Sequence, residues 1–214
     1  MRVLAISSAA AGCAAAMVRD GTIEAEHKLA AERGLPEAIP PMVQDLIAIA
    51  GIPDLIAVVV GPGSFTGLRA GISVAQGVAL GAGIDVVGVT VAEALAEALP
   101  QLGDRALWVA SDSRRGRVFL DRDGICAAVA VDDLPRPEQR VAIAGDAAIL
   151  VAATLAASGA DVMLTSARHP LPRHVAIVGA RRAAGELPKL DAVPRYVDAP
   201  EAKLPAGGLR PTPI

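Results

Sequence analysis

The residues most able to do chemistry sit together in Gly61-Pro62-Gly63-Ser64-Phe65-Thr66-Gly67-Leu68-Arg69-Ala70-Gly71. An apolar, β-branched run over 55–60 precedes them and a small-residue helix is predicted over 70–80, so the segment reads as strand, glycine loop, helix. Glycine lets another group approach where a Cβ would collide, and that neighbour is either a phosphate or another polypeptide. A Walker A cradle needs a lysine that reaches the phosphates and a hydroxyl for magnesium. Here Gly61 and Gly67 are six apart but Leu68-Arg69 follows, so both groups are missing. The G-x-G-x-x-G spacing fails as well, because Gly67 comes one residue late. Ser64 lies outside any G-x-S-x-G elbow, and Ser64 and Thr66 are read as caps for the helix N–H groups.

The helix after the loop carries small residues every fourth position: Gly67, Gly71 and Ala75, then Gly77 and Gly81. An interior glycine costs up to about 1 kcal/mol relative to alanine, so a gain elsewhere must offset it. Such a strip is a smooth groove for close helix packing, either on the chain's own sheet or against a partner's helix. The three histidines, His27, His169 and His174, lack the H-E-x-x-H arrangement and read as solvated loop residues. Asp112-Ser113-Arg114-Arg115-Gly116-Arg117 is either a charged turn or a contact for an anion or partner. No catalytic residue, metal ligand or cofactor site is assigned.

These residues must be positioned by 214 residues, of which 53% are hydrophobic but only 2% aromatic. Ala, Val, Leu and Ile therefore fill the core, which then relies on close backbone approach. The formal net charge of -3 speaks against a nucleic-acid surface of its own. Cys13 and Cys126 are far apart and in no C-x-x-C, so a reducing cytoplasm is expected. No run is long and apolar enough for a membrane span. The N-terminal Arg2-Val3-Leu4-Ala5-Ile6, with Cys13 following, faintly resembles a lipoprotein signal, but the apolar stretch is too short and reads as a buried first strand.

The first half is predicted as strands over 2–6, 13–18 and 22–28, a proline-marked loop over 36–41 and a helix over 42–50. The strand over 55–60, the helix over 70–80, a strand over 85–89 and a helix to 99 follow. Asp20-Gly21 marks a hairpin, and Thr90-Val91-Ala92-Glu93 is a capping box. The second half repeats the order, with strands over 106–110, 117–120, 125–131, 141–144 and 162–164. Its helices run to 157, capped by Asp146, and over 174–184. No helix falls where the proline-rich 134–137 lies, and the proline-rich tail after Pro188 is expected to fray at its end. The chain thus reads as a duplicated α/β unit divided into 1–100 and a smaller 101–214.

The run from Gly61 to Arg69 closely resembles the hallmark loop of the TsaB (YeaZ) family of tRNA threonylcarbamoyladenosine biosynthesis proteins. Asp112-Ser113-Arg114-Arg115-Gly116-Arg117-Val118-Phe119, Gly145-Asp146, and Pro194-Arg195-Tyr196 with Ala202-Lys203 resemble further family segments in order. The resemblance implies a two-lobed fold of the actin/sugar-kinase/Hsp70 type, built from duplicated ribonuclease-H-like units with the second lobe reduced. It also implies a subunit without catalysis or cofactor, which supports a TsaD-like enzyme, is joined by a TsaE-like ATPase, and can form homodimers.

On that resemblance the docking surface comprises residues 42–50 and 66–80. The partner-binding residues are Gly61, Pro62, Gly63, Ser64, Phe65, Thr66, Gly67, Leu68, Arg69, Gly71 and Ala75. Gly67, Gly71 and Ala75 are expected at close approach to the partner, with Phe65 and Leu68 as anchors; Gly71→Leu should abolish association and leave the monomer folded. The alternative is a metal- or ATP-dependent, glycoprotease-like enzyme of the same superfamily. Ile6-Ser7-Ser8-Ala9 stands where the family has Ile-Asp-Thr-Ser, so the acid that holds metal in active relatives is replaced by Ser7. Arg117 stands in place of a family Glu, and Asp198 near an expected Arg.

Overall fold

Two sheets of the same strand order carry the molecule. A computed structural model describes residues 1–10, 12–30, 35–113 and 115–197. The first sheet joins β1 (Arg2–Ser7), β2 (Cys13–Arg19), β3 (Thr22–Leu29), β4 (Leu55–Gly61) and β5 (Asp85–Thr90) in the order β3-β2-β1-β4-β5. The second joins β6 (Ala106–Asp112), β7 (Arg117–Arg122), β8 (Ile125–Ala130), β9 (Val141–Ala144) and β10 (Val162–Leu164) in the order β10-β9-β6-β7-β8. In each sheet the first three strands are antiparallel and the last two add in parallel to the first. The duplication and the two-lobed α/β class expected from sequence are therefore present. Both hairpins turn on Asp-Gly pairs with positive φ, Asp20 and Gly21 at 49° and 80°, and Asp123 and Gly124 at 53° and 80°. That is the twist that suits a right-handed strand pair.

β4 is buried along its whole length, as a parallel strand covered on both faces must be. On one face lie α1 (Leu35–Ala50) and α2 (Phe65–Ala82), where Gly71 of α2 sits over Ile6. On the other lies α5 (Pro172–Ala183), where Gly179 sits over Ala57 and Val87. The last helix among the described residues therefore closes the first lobe's core, with Val175, Ala176 and Val178 buried in it. The strands of the two sheets lie on either side of residue 100, while α5 packs on the first sheet, whose open face offers it more apolar surface than the four-residue β9 and three-residue β10 could. The second core, around Trp108, Leu120, Ile143, Val151 and Leu155, is closed by α4 (Ala148–Ala157). Val109 and Ala144, on the other face of that sheet, join the first core and fix the two lobes together.

Three local expectations change. α1 starts seven residues earlier than the predicted 42 and carries Pro40 and Pro41 inside it. Burial of Ile39, Val43 and Leu46, at helical spacing against β2 and β3, outweighs the backbone bonds that proline removes. Where the second half lacks a helix, a single 3-10 turn (Val131–Asp133) stands. Asp146 does not cap α4, because its Oδ1 accepts the Asp112 N–H at 2.8 Å and so ties β6 to the turn before the helix. By contrast the capping box at the start of α3 (Val91–Glu97) forms as read, with Thr90 and Glu93 bonding reciprocally.

Candidate docking site

The glycine loop is built to lie against its own chain. β4 delivers Gly61 at the sheet's end, the Gly61-Pro62 peptide is cis, and Ser64 N–H donates to Ala9 O at 2.7 Å. Ser64 then caps α2, its Oγ accepting the Gly67 N–H at 3.3 Å. Thr66, expected as a second cap, is already inside the helix and exposed. Ser8, just beyond β1, donates its buried Oγ to Gly67 O at 2.9 Å. A Cβ at Gly67 would collide with Ser8 O, and one at Gly71 with Ser8 Oγ. One at Gly63 would collide with the Ala9 backbone.

The strip Gly67-Gly71-Ala75 therefore faces inward, and Ala75 and Leu68 are 0% and 1% exposed. This corrects the expectation that Gly67, Leu68, Gly71 and Ala75 meet a partner. They are small, or in the case of Leu68 apolar, because the end of β1 and Ser8 need that space. Gly71→Leu would strike the monomer's own core. Gly61 and Pro62 are buried as well, and Gly61 is hemmed by Arg195 O, 3.0 Å from where its Cβ would stand.

What the site presents outward is the opposite side of α2. Phe65 is 54% exposed and Leu80 87%, and Thr66, Arg69, Ser73, Gln76, Gly77 and Gly81 are exposed too. A Cβ at Gly77 or Gly81 would meet nothing within 4 Å. On the adjoining α1, Ile49 adds a further apolar side chain at 66% exposure.

A strap after α5 fastens this surface from behind. Gly88 N–H donates to Leu190 O at 2.8 Å, Gln76 Nε2 to Ala192 O at 2.9 Å, and Arg195 N–H to Val60 O at 2.8 Å. At its root is Arg182, whose side chain is 3% exposed. It donates to Pro188 O at 2.7 Å and Gly88 O at 2.5 Å, and is paired with Glu93. At its end Tyr196 stacks on Phe65 and accepts the Arg69 Nε–H at 2.7 Å. Arg182 and Gln76 went unread in the sequence. An arginine in a helix's last turn is ordinarily a surface residue favoured by the helix dipole, and nothing local distinguishes this one.

Between the lobes an open cleft of about 350 Å³ is lined by Thr90, Glu93, Leu107, Val109, Asp121 and Arg195, among others. Burial raises the Asp121 carboxyl above its ordinary value. Burial, with Asp121 nearby, pushes the Cys126 thiol up to about 12, so it is no nucleophile. The turn between β6 and β7 is held by its own chain, with Ser113 Oγ donating to Arg117 O at 2.6 Å; Arg114 lies outside the described residues. Among the described residues no three His, Cys, Asp or Glu side chains could gather on one metal ion. His27 and His174 lie in β3 and α5 rather than in loops, each with one ring nitrogen buried and unbonded. Burial, then Arg173, lowers the pKa of His174. Asp198 and Ala202-Lys203, and the expected fraying of the tail's end, fall outside the described residues. Among the described residues no helix is long and apolar enough to cross a membrane.

A family model described as TsaD, tRNA N6-adenosine threonylcarbamoyltransferase, matches residues 29–155. The chain is 37% identical over 148 residues to the tRNA threonylcarbamoyladenosine biosynthesis protein TsaB of Escherichia coli (strain K12). The chain belongs to the TsaB/YeaZ family. The match to that TsaB spans 64% of this chain and 64% of the relative, under two thirds of its length. Among solved structures, YeaZ from Pseudomonas aeruginosa superposes with a TM-score of 0.70 at 24% identity, covering 91% of this chain and 99% of that one. An inorganic polyphosphate/ATP-glucomannokinase from Arthrobacter sp. strain KM reaches 0.50 at 10% identity, covering 87% and 99%. Both likenesses speak for fold, and they agree with the two-lobed actin/sugar-kinase architecture expected from sequence.

Proposed function

We propose that this chain is a non-catalytic subunit that binds and supports a TsaD-like transferase in the N6-threonylcarbamoyladenosine modification of tRNA next to the anticodon. The identity to the E. coli protein named for that pathway carries the reading. Two features of the chain support the non-catalytic part. Ser7 stands where an active relative would place a metal-holding acid, and the loop amides of Ser64 and Gly67 are bonded within the chain rather than aimed at a ligand.

The docking surface is the outward side of α2 with the exposed part of α1: Phe65, Thr66, Arg69, Gly77 and Leu80, joined by Ile49. Gly61, Pro62, Gly63, Ser64, Gly67, Gly71 and Ala75 act from beneath by fixing where that surface stands. A TsaE-like ATPase joins the pair, a second copy competes for the same face when the transferase is absent, and the setting is the cytoplasm. The test is nucleoside analysis of tRNA after depletion of this protein, together with co-purification of the transferase. Loss of the modified nucleoside and recovery of a complex are expected; normal modification and no complex would overturn the proposal. The enzymatic alternative, a metal- or ATP-dependent glycoprotease-like protein, requires metal on elemental analysis and ATP binding by calorimetry.

A further inference from the structure

We infer that the stack of Phe65, Arg69 and Tyr196 is the anchor of the docking face and that it receives a carboxylate-bearing segment of the partner protein. The inference rests on the docking reading above and adds to it a residue from the far end of the chain and the chemistry of the contact.

The chain has four aromatic side chains, two Phe, one Tyr and one Trp. Trp108 is buried and Phe119 half-buried in the second lobe, so Phe65 and Tyr196, at 54% and 50%, are the exposed ones. They meet at a single place, with ring centroids 5.6 Å apart. Arg69 lies 3.8 Å over the Phe65 ring and 5.6 Å from the centre of the Tyr196 ring, to which it is bonded across 127 positions of sequence. Exposed aromatics in a chain so poor in them are not needed for its core. Tyr and Arg in a rigid cluster are the residue types that dominate binding energy at protein interfaces.

The stack is held rigid before any partner arrives. Phe65 opens a capped helix, while Tyr196 follows directly on Arg195, whose N–H is bonded to Val60 at the end of β4. Little side-chain freedom is left to lose on binding.

The charge names the occupant. Arg69 uses Nε on the Tyr196 hydroxyl, and no described carboxylate pairs with the guanidinium. Its two terminal nitrogens remain as a flat fork lying over the Phe65 ring with Tyr196 at its side, and a planar fork takes a carboxylate bidentately. A nucleic acid would need several cations along a track, and the net charge of -3 offers no such footprint.

The experiment measures the dissociation constant of the TsaD-like transferase for the full chain and for Arg69→Gln, Arg69→Lys, Tyr196→Ala and Tyr196→Phe, at two salt concentrations, with thermal unfolding of each. Arg69→Gln and Tyr196→Ala are expected to weaken binding about 30-fold. Arg69→Lys falls nearly as far, since a point charge lacks the fork, while Tyr196→Phe loses less because the stack survives. The salt sensitivity of wild-type association disappears in Arg69→Gln. Should Tyr196→Ala lower the melting temperature, Arg69→Gln, a surface change, decides alone. Unchanged affinity in Arg69→Gln overturns this anchor and leaves the docking reading standing; failure of the wild type to bind overturns both. Variants that bind the transferase normally but lose a tRNA anticodon stem-loop in a gel shift overturn it in favour of a nucleic acid.

Discussion

Two glycines on one helix, six positions apart, should respond oppositely to the same substitution. At Gly71 a leucine meets Ser8 Oγ and the Ile6 side chain. Overpacking a filled core costs about 1–3 kcal/mol. Displacing Ser8 also breaks its bond to Gly67 O and leaves a buried hydroxyl and carbonyl unpaired, about 1–3 kcal/mol more. Against this, replacing an interior helical glycine returns about 0.8–1 kcal/mol of helix propensity. A net loss centred near 3 kcal/mol lowers the melting temperature by about 6–12 °C for a chain of this size. At Gly77 a Cβ meets nothing within 4 Å and the position is exposed, so the propensity gain decides and the melting temperature rises by about 2–4 °C. Yet Gly77→Leu stands on the outward side, where its bulk should abolish capture of the transferase. The assay is thermal unfolding by circular dichroism beside a pull-down with the transferase. A Gly71→Leu protein that melts like wild type would refute the inward assignment of that strip. A Gly77→Leu protein that binds normally would refute the outward docking face.

Arg182→Leu should cost about 3 kcal/mol, because it strands the partly buried Glu93 and two backbone carbonyls; a urea midpoint shifted with an unchanged slope checks it. Thr90→Ala should cost about 1 kcal/mol through loss of the capping box, read as a fall of about 2–4 °C in melting temperature. Because burial pushes the folded Cys126 thiol up to about 12, above the ordinary thiol value, its contribution to stability is whole below about pH 9 and is lost as pH rises toward 12. Cys126→Ala should flatten that decline in denaturant titrations, and wild-type Cys126 should resist alkylation at pH 8 until the protein is unfolded in urea.

The duplicated order was readable because its signals are local. Apolar runs mark the strands, Asp20-Gly21 marks the first hairpin, and Thr90 with Glu93 marks a helix start. What escaped reading depended on contacts distant in sequence. Both sides of α2 carry small residues at a spacing of four, so only the arrival of Ser8 decides which side is buried. Prolines at 40 and 41 argue locally for a loop, and only the burial of Ile39, Val43 and Leu46 on the sheet reverses that. Asp146 sits where a cap belongs but finds the Asp112 amide across the turn. Arg182 joins three segments separated by up to 94 positions, a fact no window of sequence contains. The residues of the proposed docking surface are legible as a segment and not as a face, since Phe65 and Arg69 point outward from the same turns whose Gly67 and Leu68 point in.

The placement of α5 sets an order of events during synthesis. A ribosome delivers all five strands of the first sheet well before Pro172–Ala183 leaves the exit tunnel, so Ala57 and Val87 stand bare to solvent while the second half is still being made. A message truncated before codon 172 would yield a protein with that apolar floor permanently open, and its fate would be capture by chaperones or destruction by proteases rather than a smaller folded protein.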